Sequence, residues 1–252
     1  MTEAPEPAKP NLAATVLLLR QGDDGPEVFM VVRHGDIAFA GGALVFPGGR
    51  LDAGDRALAA AVGLPDDAGA LRICALRETF EEAAILLIRG TAPRDAAKWQ
   101  AKLCADEIGF AALLDGLGVQ PAPEALIHFA HWITPPSRSK RFDTHFFLAV
   151  APEGQVAAHD GGEAVDSVWI NPRRALAEAD AGKRKLVVPT RLNLMRLARF
   201  DSVDAILAHA AETPVVTIEP RSTQVPGGRL MTLPLAAGYG VESFLSTDPA
   251  SI

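Results

Sequence analysis

LRICALRETFEEAAILLI, residues 71–88, sets a short run of charge inside an otherwise apolar segment. Side chains three and four apart on a helix share a face, so Glu78, Glu81 and Glu82 gather three carboxylates within one turn. Like charges at that spacing repel, and withdrawing them from water is costly unless a cation joins them. Donor sets made only of oxygen select a hard divalent ion, Mg²⁺ or Mn²⁺, over zinc. The plainer reading is a solvated helix face.

The segment upstream tips the balance toward a metal site. Phe46-Pro47-Gly48-Gly49-Arg50-Leu51-Asp52-Ala53-Gly54-Asp55 reads as a strand end followed by a loop rich in glycine and acid. Together the two pieces resemble the Nudix box, Gly-x5-Glu-x7-Arg-Glu-U-x-Glu-Glu-x-Gly-U, in which U is a bulky apolar residue. Gly49 matches the first glycine, Arg77 and Glu78 the Arg-Glu pair, and Glu81 and Glu82 the Glu pair. Asp55 stands at the first Glu, which keeps the charge and shortens the reach, Ala84 replaces the second glycine, and Thr79 is less apolar than the pattern. Residues 56–76 number 21 where the pattern has seven, an insertion of 14. RALAAAVGLPDDAGA, residues 56–70, reads as a short Ala-rich helix closed by Gly63, Pro65 and an Asp-Asp turn, which can bulge outward with both ends fixed. This split box, with Arg141-Phe142-Asp143-Thr144 downstream, resembles the coenzyme A diphosphatase branch of the family.

The resemblance implies an α/β fold, the Nudix α/β/α sandwich with a mixed sheet, here followed by a C-terminal extension. It also implies hydrolysis of a diphosphate within a nucleotide-type small molecule, coenzyme A or an acyl-coenzyme A being favoured over ADP-ribose, NADH or dinucleoside polyphosphates. Glu81 and Glu82 would be the main metal ligands, Glu78 a further ligand or the general base, and Arg77 the partner that orients Glu78. Asp55 and Glu163 are additional candidates for a ligand or base. A nucleotide sensor that has lost hydrolysis is the alternative of a different class, although such a sensor has little use for a costly carboxylate cluster.

Other residues are candidates for holding the substrate. Gly48 and Gly49 allow backbone groups close to phosphates, and Arg138, Lys140 and Arg141 form a compact basic group, as do Lys183, Arg184 and Lys185. In RFDTHFFL, Asp143, His145 and Phe147 share one face while Phe142, Thr144 and Phe146 share the other, and one of these faces is placed to border the substrate.

Composition fits a globular enzyme. With 252 residues and 48% hydrophobic content the chain can bury one good core, and its net charge of −7 argues against general binding to nucleic acid or anionic membranes. No apolar run is long enough for a membrane span, and MTEAPEPAKPN lacks a signal-peptide pattern, so the expected compartment is the cytoplasm. Cys74 and Cys104 form neither a disulfide framework nor a zinc set. Residues 1–10 are expected to be disordered, 11–188 to form the Nudix domain, and 189–252 to form a helical extension ending in a Pro- and Gly-rich tail. Extra core, a homodimer contact or a lid over the substrate are the readings of that extension. The catalytic helix is expected over about Ala70–Ile88, with helices near Arg94–Cys104 and Glu107–Gly116.

Overall fold

Alternating and continuous apolar runs build the centre of the molecule. The computed structural model describes residues 8–34, 42–92, 96–159 and 164–246. NLAATVLLLRQG forms β1 (Asn11–Gly22), and the two-residue turn at Asp23-Asp24 returns the chain as β2 (Gly25–Arg33). Short strands β3 (Leu44–Val45) and β4 (Gly48–Arg50) lead into α1 (Ala53–Ala61) and α2 (Asp67–Ala83). After β5 (Ile88–Arg89) come α3 (Ala96–Cys104), α4 (Phe110–Leu117) and β6 (Gln120–Pro121), which pairs with β5. Strands β7 (Ile127–Ile133), β8 (Phe142–Val150) and β9 (Ala164–Ile170) precede helices α5 (Pro172–Asp180), α6 (Val188–Leu197) and α7 (Val203–Glu212). The chain closes with β10 (Thr217–Ile218), β11 (Arg221–Val225), β12 (Gly228–Thr232) and β13 (Ser243–Ser246).

The main sheet runs β10-β7-β8-β1-β2-β3, with β4 also on β1 and β9 also on β2. It is mixed: β1 lies parallel to β8 and antiparallel to β2, β4 lies antiparallel to β1, and β7 is antiparallel to β8. Both faces of β1 are buried, so the strand reads as a nearly continuous apolar run. Ala14, Val16 and Leu18 enter a core with α1, α2 and α4, whereas Leu17 and Leu19 enter a second core with α5, α6 and α7. The result is the α/β/α sandwich.

Residues beyond 188 supply two of the three helices of that second layer, through Leu192, Leu194, Leu197, Val203 and Ile206. A buried chain of hydrogen bonds ties the tail to it: Trp132 Nε1–H donates to Tyr239 Oη at 3.0 Å, and Tyr239 donates to Asn193 Oδ1 at 2.7 Å. The Pro- and Gly-rich tail is not irregular, because β11, β12 and β13 pair as an antiparallel meander.

Helix α2 differs from its expected limits at both ends. It begins earlier, because the Asp66 side chain accepts the Gly69 N–H at 2.7 Å and caps it. It ends earlier, because Ala84 takes a left-handed conformation with φ of 56°, closing the last turn through its N–H to Phe80 O. Leu86 then leaves the helix axis and pairs its backbone with the Gln155 side chain, accepting at 2.9 Å and donating at 2.8 Å. The apolar AAILLI run therefore feeds a buried connection. Helix α3 is described over Ala96–Cys104, residues 94 and 95 of its expected span lying outside the described residues, and the span Phe110–Leu117 replaces the broader Glu107–Gly116 expected of α4.

Candidate active site

Arg77 is the centre of the site. It projects from α2 into a ring of acceptors and is 9% exposed. Its Nε–H and Nη2–H donate to the two oxygens of Asp55, each at 2.9 Å, a bidentate pair. Its Nη1 donates to Glu78 Oε1 and Glu81 Oε2, each at 2.8 Å, and Nη2 reaches Arg50 O at 3.0 Å. Burial alone opposes a charge here, but Asp55 and Glu78 outweigh it and hold the guanidinium charged above its usual range.

Asp55 occupies this position because α1 begins with a capping box: the Asp52 carboxylate accepts the Asp55 N–H at 2.7 Å, and the Asp55 carboxylate accepts the Asp52 N–H at 3.0 Å. Both Asp55 oxygens are engaged and the residue is 2% exposed. In this arrangement it positions Arg77, and the extra length of chain after it does not separate the two halves of the box in space.

The glycine loop is fixed to the same helix. Gly48 N–H donates to Glu82 Oε2 at 2.9 Å. A Cβ at Gly48 would lie 2.4 Å from Ala14 O, a backbone approach that no side chain allows, and one at Gly49 would lie 2.3 Å from Glu78 Oε1 and push that carboxylate away from Arg77. On the far side of α2, Gln100 Nε2 donates to Glu81 O at 2.8 Å, anchoring the last turn to α3.

Gly48, Gly49, Arg77, Glu78, Glu81 and Glu82 line one open groove of about 700 Å³, together with Thr15, Arg33, Lys140, Phe142 and Thr144, while Asp55 lies behind Arg77 and is not part of the lining. Phe142 and Thr144 of β8 border it, which identifies the strand face that meets the site. An adjoining cavity of about 160 Å³ shares Thr15, Arg33, Gly48, Phe142 and Thr144 and is walled by Phe46, Trp132, Phe146, Val187 and Val188. Lys140 reaches the groove, as do Gly48 and Gly49. Arg141 does not: it is buried, donating to Thr134 O at 2.9 Å, to Ala8 O at 2.8 Å and to Glu219 at 2.6 Å. It braces β8 against the chain start and the C-terminal segment instead of facing a ligand. Arg138 lies on the turn after Pro135 and is not among the groove-lining residues. Arg184 pairs with Glu178 at 3.2 Å, outside the groove. Glu163 lies outside the described residues. Thr15 and Arg33 look like ordinary strand residues in the sequence, and the sheet brings them to the groove.

The donor set fits a divalent cation. Glu78, Glu81 and Glu82 line the groove around a single buried guanidinium, and the Glu81 carboxyl is pushed up to about 7, by burial first, with Glu78 adding to it and Arg77 opposing it. A carboxyl raised in this way holds a proton in the folded chain that the unfolded chain has lost, so its contribution to stability falls with rising pH. In metal-free protein, the stability difference between the wild type and Glu81→Gln is expected to move against the wild type as pH rises from about 4.5 through about 7. Thermal melts in chelator measure this, and a pH-independent difference contradicts it. An added divalent ion is expected to cancel the trend.

On the opposite face of β8, Asp143 and His145 meet His131 and His128 of β7. His128 and His145 are both lowered to about 4, by burial first and then by the field of His131.

The family model for the NUDT19 Nudix domain matches residues 55–197, from Asp55 in α1 to the end of α6. The chain belongs to this Nudix family. It is 34% identical over 157 residues to the acyl-coenzyme A diphosphatase NUDT19 of Homo sapiens, covering 56% of this chain and 42% of that one. The protein of the same name from Gallus gallus is 30% identical over 159 residues, covering 54% and 42%. The chain thus spans less than half the length of these curated relatives. Among solved structures, a NUDIX hydrolase from Alicyclobacillus acidocaldarius superposes with a TM-score of 0.71 at 30% identity, covering 79% of this chain and 96% of that one. No helix among the described residues is long and apolar enough to cross a membrane.

Proposed function

We propose that the protein is a Mg²⁺- or Mn²⁺-dependent hydrolase that cleaves the diphosphate linkage of coenzyme A or an acyl-coenzyme A. Water adds to one phosphorus and the bridging P–O bond breaks, giving 3′,5′-adenosine bisphosphate and 4′-phosphopantetheine or its acyl derivative. The observation that carries this reading is one groove in which the Gly48-Gly49 loop meets Glu78, Glu81 and Glu82 around Arg77. Glu78, Glu81 and Glu82 would hold the ion. When bound, the ion offsets phosphate charge and makes the attacking water more acidic.

The rest is done by the chain itself. Arg77, locked by Asp55, fixes the rotamers of Glu78 and Glu81, and the Gly48 N–H fixes Glu82, so the carboxylates meet the substrate already oriented. Lys140 supplies positive charge at the groove for phosphate oxygens. The choice of substrate is supported by the names of the relatives and by the apolar cavity beside the groove, which suits a substrate carrying an apolar arm next to its diphosphate.

Product analysis by mass spectrometry tests this, with the protein incubated in Mg²⁺, Mn²⁺ or chelator against coenzyme A, acyl-coenzyme A, ADP-ribose, NADH and diadenosine polyphosphates. Metal-dependent formation of 3′,5′-adenosine bisphosphate is the expected result. Cleavage of another substrate alone would retain the reaction and discard coenzyme A. Bound nucleotide that survives prolonged incubation with Mg²⁺ would favour a sensor.

A further inference from the structure

His131 and His145 face each other directly across the β7–β8 ladder, and their rings stack with centroids 4.0 Å apart. His131 Nε2 lies 2.5 Å and His145 Nε2 3.5 Å from the same oxygen, Asp143 Oδ1. One donor atom from each of the three residues falls within a group whose members are all within 4.8 Å of one another. The remaining ring nitrogens are also engaged. His131 Nδ1 meets Thr217 Oγ1 at 2.8 Å, and His145 Nδ1 meets His128 Nε2 at 3.1 Å. In the tautomer that donates from Nδ1 each ring turns an Nε2 lone pair toward the carboxylate, which is the ligating form, whereas in the other tautomer both Nε2–H groups donate to Asp143.

We propose that His131, Asp143 and His145 bind a divalent transition-metal ion through two imidazole nitrogens and one carboxylate oxygen, with solvent completing the coordination. The donor chemistry separates this site from the groove, since imidazole nitrogen suits zinc and its neighbours in the transition series whereas oxygen-only sets suit Mg²⁺ or Mn²⁺. Bonds of about 2.0–2.1 Å to a tetrahedral ion place neighbouring donors about 3.3 Å apart, close to the 2.5 and 3.5 Å that separate the two Nε2 atoms from Asp143 Oδ1, and the stacked rings turn about χ2 to bring both lone pairs onto one ion. The ligands stand on hydrogen-bonded strands, which preorganises them, and Thr217 and His128 occupy the outer positions that orient ligating histidines. Side-chain exposures of 14%, 22% and 20% for His131, Asp143 and His145 leave an entry path. None of the three lines the groove. A bound ion would clamp β7 to β8 and, through Thr217, to β10.

Isothermal titration of chelator-treated full-length protein with Zn²⁺, in excess Mg²⁺, tests the site, with Co²⁺ absorption as a second readout. One equivalent of Zn²⁺ is expected, with an intense visible Co²⁺ spectrum from a low-coordinate nitrogen-containing site. Binding should persist in Glu82→Gln and weaken at least about 100-fold in Asp143→Asn and His145→Gln. Asp143→Asn is nearly isosteric and keeps the fold testable, which a circular dichroism melt verifies. Absence of stoichiometric Zn²⁺ on the wild type overturns the proposal. So does binding that survives both strand substitutions and is lost in Glu82→Gln.

Discussion

Glu82→Gln is expected to remove nearly all turnover, a loss of at least about 100-fold, while leaving the fold intact. The two halves of this expectation have separate causes. Glutamine keeps a carbonyl oxygen that can accept the Gly48 N–H, so the loop stays attached to α2 and the melting temperature should barely move. It cannot supply negative charge to a divalent cation, so the ion is held weakly or in the wrong place. Measuring kcat, apparent metal affinity and the thermal melt on one preparation separates the causes. Near-normal activity at saturating Mg²⁺ would overturn the assignment of the glutamates as metal ligands.

Arg77→Ala is expected to lower stability as well as activity, because the same guanidinium braces Asp55 and orients Glu78 and Glu81. It leaves Asp55 buried without its bidentate partner and leaves Glu78 and Glu81 facing each other unscreened. Removing one member of a buried ion pair costs about 3–5 kcal/mol, or a melting temperature lower by roughly 10 °C in a chain of this size. Arg77→Lys retains the charge but cannot fork across both Asp55 oxygens, so it should fall between the two. Divalent cation should recover part of the loss, because it supplies positive charge to the same carboxylates. A shift of less than about 2 °C for Arg77→Ala would show that the guanidinium does not organise the site.

Local pattern in the sequence carried much of this. The long strands of the main sheet are marked by apolar runs bounded by turn residues, whereas Gly48–Arg50, which pairs with β1, reads as a loop; helical spacing marks Glu78, Glu81 and Glu82, and the resemblance to the Nudix box adds Arg77. What was hidden depends on partners distant in sequence. Arg141 has the composition of a phosphate ligand, yet its guanidinium is taken up by Ala8, Thr134 and Glu219, and nothing local to it announces those contacts. Asp55 looked like a shortened metal ligand until the packing of α1 placed it against Arg77. The end of α2 was obscured because residues buried on all sides show no periodicity, so AAILLI continues the apolar signal after the helix has stopped. The C-terminal meander was missed because its strands are short and largely polar, and their identity comes from pairing. The histidine grouping needed the cross-strand register of β7 and β8, which a bulge between His128 and Ala130 shifts.

The segment after Asp55 is held at both of its ends, by Arg77 at one and by the Asp66 cap of α2 at the other, while most of residues 56–66 is exposed. Chain length between two such anchors is nearly invisible to the chemistry, since closing a longer loop adds only a slowly growing entropy cost. Added residues are therefore expected to cost little at the exposed turn around Gly63, though not within α1, where Ala59 is buried in the core. The same tolerance makes the exposed turn at Gly63 a natural insertion point for a reporter peptide or a second domain.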